Sequence, residues 1–258
     1  MMRSHCIPQT KTYGYSVQKR ALKVVVYDTH SSLPPSELNT QKLLVIGGIH
    51  GDEPEGVDLS KALEVSLQQA LRKDGDCPWQ WVGFVHEANP DGLHQNTRVN
   101  AQGTDLNRNY PTQNWQAEAT ESHFPPGPFP ASEPETRGLL RLITLVKPSH
   151  ILTLHAPLYC VNYDGPPLLA KPWANTMAEV LQYPLEASIG YPTPGSFGTY
   201  WGVERHIPVI TLELPPQNPH PHAPIHAPSW DMSHRAKVLE ALQTLLWQSP
   251  SPSHRLKS

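Results

Sequence analysis

Two hydrophobic periodicities alternate along the first ninety residues. "ALKVVVYD" (21–28) and "KLLVIGGI" (42–49) are short runs rich in aliphatic and β-branched residues. The second is almost continuously apolar, the pattern of a strand covered on both faces. Between 55 and 73, in "EGVDLSKALEVSLQQALRK", leucines at 59, 63, 67 and 71 make a helical stripe. "WQWVGFVHEA" (79–88) returns to strand character. Strand, helix and strand in that order predict a wound α/β sheet.

The regular pattern then lapses from 89 to 134. It resumes in "SEPETRGLLRLITLVKP", where Ser132 and Glu135 have capping-box spacing and Pro134 sits in the first turn of a predicted helix. "HILTLHA" (150–156) and "PVITLELP" (208–215) read as strands. "WANTMAEVLQ" (173–182) and "DMSHRAKVLEALQTLLWQ" (231–248) read as helices. No repeat and no linker separates independently patterned halves, so residues 1–258 are expected to form a single domain.

Composition narrows the class. Charged residues are 17% and hydrophobic residues 38% of 258, with a formal net charge of −3. No basic run is present to follow a phosphate backbone, which argues against nucleic acid. The apolar runs are far too short to span a membrane, and the first twenty residues lack the apolar core of a secretory signal. Three scattered cysteines, Cys6, Cys77 and Cys160, make no disulfide framework and suit a reducing compartment. The expectation is a cytoplasmic protein. The 29 prolines are about twice ordinary usage. They gather at 125–134, 157–172 and 192–228, which implies long ordered loops, where sites are often built.

Three apolar runs end in ionisable residues: "LLVIGGIH" at His50, "ILTLH" at His155 and "VITLE" at Glu213. An open α/β sheet binds its ligand beyond the carboxyl ends of its strands. Glu53 follows His50 at i+3 across a turn loosened by Gly47, Gly48 and Gly51. His50, Glu53 and His155 offer zinc two nitrogens and an oxygen, the three-ligand set of a catalytic site with one position left open. Glu213 is then the unligated carboxylate, able to take a proton from water. A lone strand-end histidine is more often satisfied by a backbone carbonyl, and acidic residues before a helix often serve its dipole. The conjunction of four such residues at strand ends carries the stronger reading. The loop 89–110 opens on "NPDG", a turn signature, and holds Arg98, Asn107 and Arg108. One arginine near a metal can bind a substrate carboxylate and another can stabilise an oxyanion; two surface arginines would look the same in sequence.

Taken in order, "GGIHGDEPEG", "NPDG…R…GTDLNRNYP", "SEPET", "TLHA", "GSFG" and "ITLELPP" resemble the zinc carboxypeptidase family. Residues 191–216, "YPTPGSFGTYWGVERHIPVITLELPP", look most like its bacterial murein peptide amidase branch, which cuts γ-D-glutamyl–diaminopimelate bonds. The resemblance implies a three-layer α/β fold, a mixed and roughly eight-stranded sheet with helices on both faces. It implies one zinc ion held by His50, Glu53 and His155, with Glu213 as catalytic base and then proton donor to the leaving amine. Arg98 matches the arginine that polarises the scissile carbonyl. Asn107 and Arg108 match the pair that holds the leaving residue's carboxylate. Ser196 falls in the segment that shapes the specificity pocket, and Tyr191 is a candidate for the tyrosine that closes over substrate.

The implied partner is a murein peptide, L-Ala-γ-D-Glu-meso-diaminopimelate, with neither nucleic acid nor membrane involved. The oligomeric state stays open, a homodimer among the options. Rival readings are a carboxypeptidase for ordinary peptides, an N-acyl amino acid deacylase, and a non-catalytic module that binds muropeptides. The loop 113–131 is expected to wall the cleft. No role follows for His86, His123, or the run His220, His222 and His226.

Overall fold

Among the described residues, eight strands join in one sheet in the order β1-β2-β4-β3-β5-β8-β6-β7. The computed structural model describes residues 7–29, 41–72, 77–119, 121–122, 124–217 and 223–247. Cys6, His123, His220 and His222 lie outside the described residues.

The strands are β1 (Gln9–Tyr15), β2 (Ala21–Asp28), β3 (Lys42–Gly47), β4 (Trp81–Val85), β5 (His150–His155), β6 (Cys160–Asp164), β7 (Leu185–Glu186) and β8 (Val209–Glu213). β4, β3, β5 and β8 run parallel at the centre. β2 pairs antiparallel with β4, and β6 antiparallel with β8, on the two flanks. The helices are α1 (Pro54–Arg72), α2 (Pro90–Gln95), α3 (Pro134–Val146), α4 (Pro167–Leu181) and α5 (Met232–Trp247).

Pleating divides the core into two layers, because successive side chains of a strand point to opposite faces. Leu43 and Val45 of β3, Leu152 and Leu154 of β5, and Ile210 and Leu212 of β8 pack against α1, α4 and α5. Leu44 and Ile46, Ile151 and Val209 face the other way, onto Leu139, Leu142 and Ile143 of α3. With both faces covered, the central strands carry the continuous apolar runs that marked them in the sequence. The indole of Trp79 donates to the Leu246 carbonyl (2.8 Å) and that of Trp247 to Ser66 Oγ (2.7 Å), tying α5 to the segment that leads into β4 and to α1.

Several local expectations need correction. Ser132 does not cap α3. Pro134 occupies the first turn, so the N-cap falls on Glu133, whose side chain makes no cap hydrogen bond. Glu135 accepts instead from the Val17 amide (3.1 Å) and Asn100 Nδ2 (3.2 Å). "NPDG" is more than a turn. Asn89 Oδ1 accepts from the Gly92 amide (2.9 Å), and Pro90 begins α2. α4 starts six residues earlier than its apolar stripe suggests, at Pro167, and contains Pro172. Three strands went unpredicted for different reasons, the two-residue β7 among them. β1 is a largely exposed edge strand with a polar sequence, while β6 is only five residues long. Among the described residues no helix is long and apolar enough to cross a membrane.

Candidate metal and active site

The carboxyl ends of β3, β5 and β8 share one rim of the sheet. β5 and β8 end in register, with His155 paired to Glu213. β3 stops three residues short of His50 because Gly48 takes a left-handed turn (φ +64°), which glycine adopts without a Cβ clash. Gly51 then runs backbone to backbone against Gly92: a Cβ built on it would lie 2.0 Å from the Gly92 carbonyl carbon. That contact presses the His50–Glu53 loop onto α2.

Within this loop, His50 Nδ1 lies 2.6 Å from Glu53 Oε1. His155 Nδ1 reaches 2.9 Å from Glu53 Oε2 and 3.2 Å from His50 Nδ1. All three residues are buried, and their ligand atoms lie within 4.8 Å of one another. Two nitrogens and a carboxylate converging at that spacing form a donor set suited to a divalent metal such as zinc. Glu213 is buried beside them and accepts from the Leu158 amide at 3.4 Å.

Asp105 completes the group and was not singled out in the sequence. It is fully buried. One carboxylate oxygen stands 3.1 Å from His50 Nε2 and accepts from the Asn107 amide (2.8 Å); the other accepts from Arg98 Nε (2.9 Å). A carboxylate behind a candidate metal-binding imidazole fixes the ring's orientation and tautomer. The available signal was an aspartate two residues before "NRN", in a segment otherwise read only for its cations. Phe124 was missed as well. The guanidinium carbons of Arg98 and Arg108 lie 4.8 and 4.7 Å from its ring centroid. Tyr191 stacks on the same ring at 5.7 Å with an interplanar angle of 6°.

The charges are strongly coupled. Burial alone would raise the Glu53 carboxyl, but His50 and His155 outweigh it and hold it well below the usual carboxylate range. Burial is likewise overcome at Asp105, by Arg98 and His50, so that carboxyl is also held well below its ordinary range. Burial and Arg98 act to lower His50, yet Glu53 and Asp105 prevail and push it up to about 9. Glu213 moves the opposite way from Glu53. Burial raises it, with His155 opposing and Glu53 adding to the rise.

The expected site residues divide as follows. His50, Glu53, Arg98, Asn107, Arg108, His155, Tyr191 and Glu213 all line one cleft of about 1140 Å³. Asn107 Oδ1 is occupied by the Phe197 amide (2.8 Å), which turns its amide nitrogen into a fixed donor. Arg108 donates Nη1 to the Asn107 carbonyl (2.8 Å), while its Nε is buried with no partner among the described residues. Glu121, Ser122, Phe124 and Pro125 bring the loop 113–131 to the cleft wall, as expected. Ser196 does not line the cleft. Its Oγ donates to Thr199 Oγ1 (2.9 Å) and accepts from the Thr199 amide (3.1 Å), a local cap that turns it inward. The "GSFG" segment reaches the site through the Phe197 backbone instead. His86 bridges Ser60 Oγ (2.6 Å) and Glu64 (2.8 Å) beneath α1.

The zinc carboxypeptidase family profile matches residues 7–178. Murein peptide amidase A of Escherichia coli K12 is 35% identical over 195 residues, covering 71% of this chain and 75% of that one. The protein of the same name from Vibrio campbellii is 37% identical over 185 residues, 67% and 69% of the two chains. The crystal structure of the murein-tripeptide amidase from Escherichia coli O157 superposes with a TM-score of 0.66 at 28% identity, covering 95% of this chain and 94% of that one.

Proposed function

Because this chain belongs to the zinc carboxypeptidase family, a family of zinc-dependent hydrolases, we propose that it hydrolyses the γ-D-glutamyl–meso-diaminopimelate amide of a murein tripeptide. One observation carries the reading: three candidate ligands and a separate buried carboxylate meet at the strand ends, facing two arginines across one cleft. The names of its relatives supply the substrate class. We read the whole chain as one catalytic domain acting in cytoplasmic recycling of cell-wall peptides.

In this reading His50, Glu53 and His155 hold the zinc ion. Bound zinc supplies Lewis acidity that lowers the pKa of water and polarises a carbonyl oxygen. Glu213 takes the proton from the attacking water, and burial, which raises its carboxyl, makes it a stronger base than an exposed glutamate. The same carboxyl then delivers that proton to the leaving amine of diaminopimelate. Arg98, anchored by Asp105 and lying 3.4 Å from Glu53, faces the place where the oxyanion develops. Arg108, with its unpartnered Nε, and the Asn107 amide offer donors to the leaving residue's carboxylate.

The experiment is product analysis by mass spectrometry on zinc-loaded protein given two substrates. One is L-Ala-γ-D-Glu-meso-diaminopimelate and the other an ordinary L-peptide with a free carboxyl end. Release of diaminopimelate from the first alone supports the amidase. Cleavage of the second alone keeps the residue roles and overturns the substrate.

A further inference from the structure

Two carboxylates that the proposed chemistry does not use line the cleft. Glu55, in the first turn of α1, is 5% exposed and lines the cleft. Its Oε1 accepts from the Gln217 amide (2.8 Å). Its Oε2 is buried without a hydrogen-bond partner among the described residues. A buried acceptor left in that state costs free energy unless a ligand donates to it. Asp52, exposed, also lines the cleft. Glu53 and Asp52 both act on Glu55 as neighbouring like charges.

The chain segments that carry Glu55 and Arg108 belong to opposite layers of the fold. Glu55 rides on α1, whose Leu59 and Leu63 pack in one layer. Arg108 sits between Leu106 and Tyr110, which pack in the other layer with α3. The candidate metal ligands lie at the strand ends between the layers. A peptide laid across them with its carboxylate at Arg108 carries its opposite end toward Asp52 and Glu55.

We propose that Asp52 and Glu55 form an ammonium-binding subsite that reads the free amino terminus of the substrate. This rests on the amidase reading, in which the retained product is a dipeptide whose only cationic group is that α-ammonium. Two carboxylates together favour a cationic donor over a neutral one, and the ammonium supplies the proton that Oε2 lacks. The cleft then measures a short peptide from charge to charge. A peptide whose amino end is acylated, as it is when still joined to a sugar acid, loses the cation and meets two carboxylates with an amide.

The test compares free and N-acetylated L-Ala-γ-D-Glu-meso-diaminopimelate on the zinc-loaded protein, Glu55→Gln and Asp52→Asn. Zinc content and melting temperature are measured for each. In the unaltered protein, acetylation should lower kcat/KM by about tenfold or more, the size of a hydrogen bond to a charged group. In the variants the free peptide should fall toward the acetylated one, so that the ratio shrinks to within about threefold. Asp52→Asn, on the exposed rim, carries the test if Glu55→Gln does not fold. Equal cleavage of both peptides by the unaltered protein overturns the subsite and leaves the amidase standing. A ratio unchanged in every folded variant places the selectivity elsewhere and overturns it too. Cleavage of neither peptide overturns the amidase and the subsite with it.

Discussion

His50 Nε2 and Asp105 Oδ1 are 3.1 Å apart, and the other oxygen of Asp105 holds Arg98 Nε at 2.9 Å. One buried carboxylate therefore aims both a candidate zinc ligand and the arginine proposed to face the oxyanion. Neutralising it should disturb both. Asp105→Asn should weaken zinc binding by about 10- to 100-fold, the usual cost of losing a carboxylate behind a ligating histidine. A competitive titration against a chromogenic chelator measures this. Unchanged zinc affinity would mean that Asp105 acts on Arg98 and on the turn at Leu106–Arg108 but not through His50.

The same geometry predicts how zinc and protons compete. Glu53 and Asp105 outweigh burial and push His50 up to about 9, so the metal-free ring is protonated at pH 7. Zinc takes only the neutral ring, so binding at pH 7 should release a proton. Calorimetry in buffers of different ionisation enthalpy reads it directly. The sign for stability follows, since the folded pKa lies above the ordinary 6.5. The charged ring's contribution to the metal-free protein is complete below 6.5 and is lost as pH rises through about 9. The melting temperature of chelated protein should therefore decline across that window.

Glu213 gives a prediction of opposite sense. Burial raises its carboxyl, and only the ionised form is a base, so activity is present above its pKa and lost below. The acid limb of kcat/KM should lie above the ordinary glutamate value of about 4.3. Glu213→Gln should lower kcat by about 10²- to 10⁴-fold while zinc content is unchanged, because Glu213 is not in the ligand set. A variant that retained normal turnover would remove Glu213 from the mechanism.

Phe124 supports both cleft arginines and Tyr191 on one ring. Replacing it with leucine keeps the volume apolar but removes the π face. At about 0.5–2 kcal/mol for each cation–π contact, Phe124→Leu should raise KM several-fold and leave zinc content unaltered. Steady-state kinetics beside metal analysis separates the two. Loss of zinc along with activity would show that the ring holds up the whole loop.

How much of this was legible in the sequence depended on where each residue gets its environment. His50, His155 and Glu213 end apolar runs, so the strand that positions each one also announces it. Glu53 needed only the turn from His50. Asp105, Phe124 and Glu55 carry no such local mark, because their partners lie 55, 26 and 162 residues away, at His50, Arg98 and Gln217. Ser196 shows the converse. A motif identified its segment, but the inward turn of the hydroxyl is set by Thr199, and the segment's contact with the site is a backbone amide at Phe197. The alternating core was readable because both faces of the central strands are covered. The polar edge strand β1 was hidden because it buries almost nothing.

The last prediction concerns the loop that carries two of the three candidate ligands. A Cβ on Gly51 would stand 2.0 Å from the Gly92 carbonyl carbon and 2.3 Å from the Leu93 amide nitrogen. Both are backbone atoms that no side-chain rotation can move, and Gly92 is itself pinned by Asn89. Gly51→Ala must therefore displace the loop from α2. Overpacking of this kind costs about 1–3 kcal/mol, so the melting temperature should fall. Glu53 bridges His50 and His155 with one oxygen to each, so a displaced loop breaks the ligand set as well. Zinc affinity should drop together with stability, although no ligand has been changed. Gly103 supplies the control: its φ is positive (+77°), but nothing described lies within 4 Å of a Cβ built there. Gly103→Ala should carry only the backbone strain and leave zinc binding intact. Equal zinc affinity in both variants would show that the Gly51–Gly92 contact does not position the metal site.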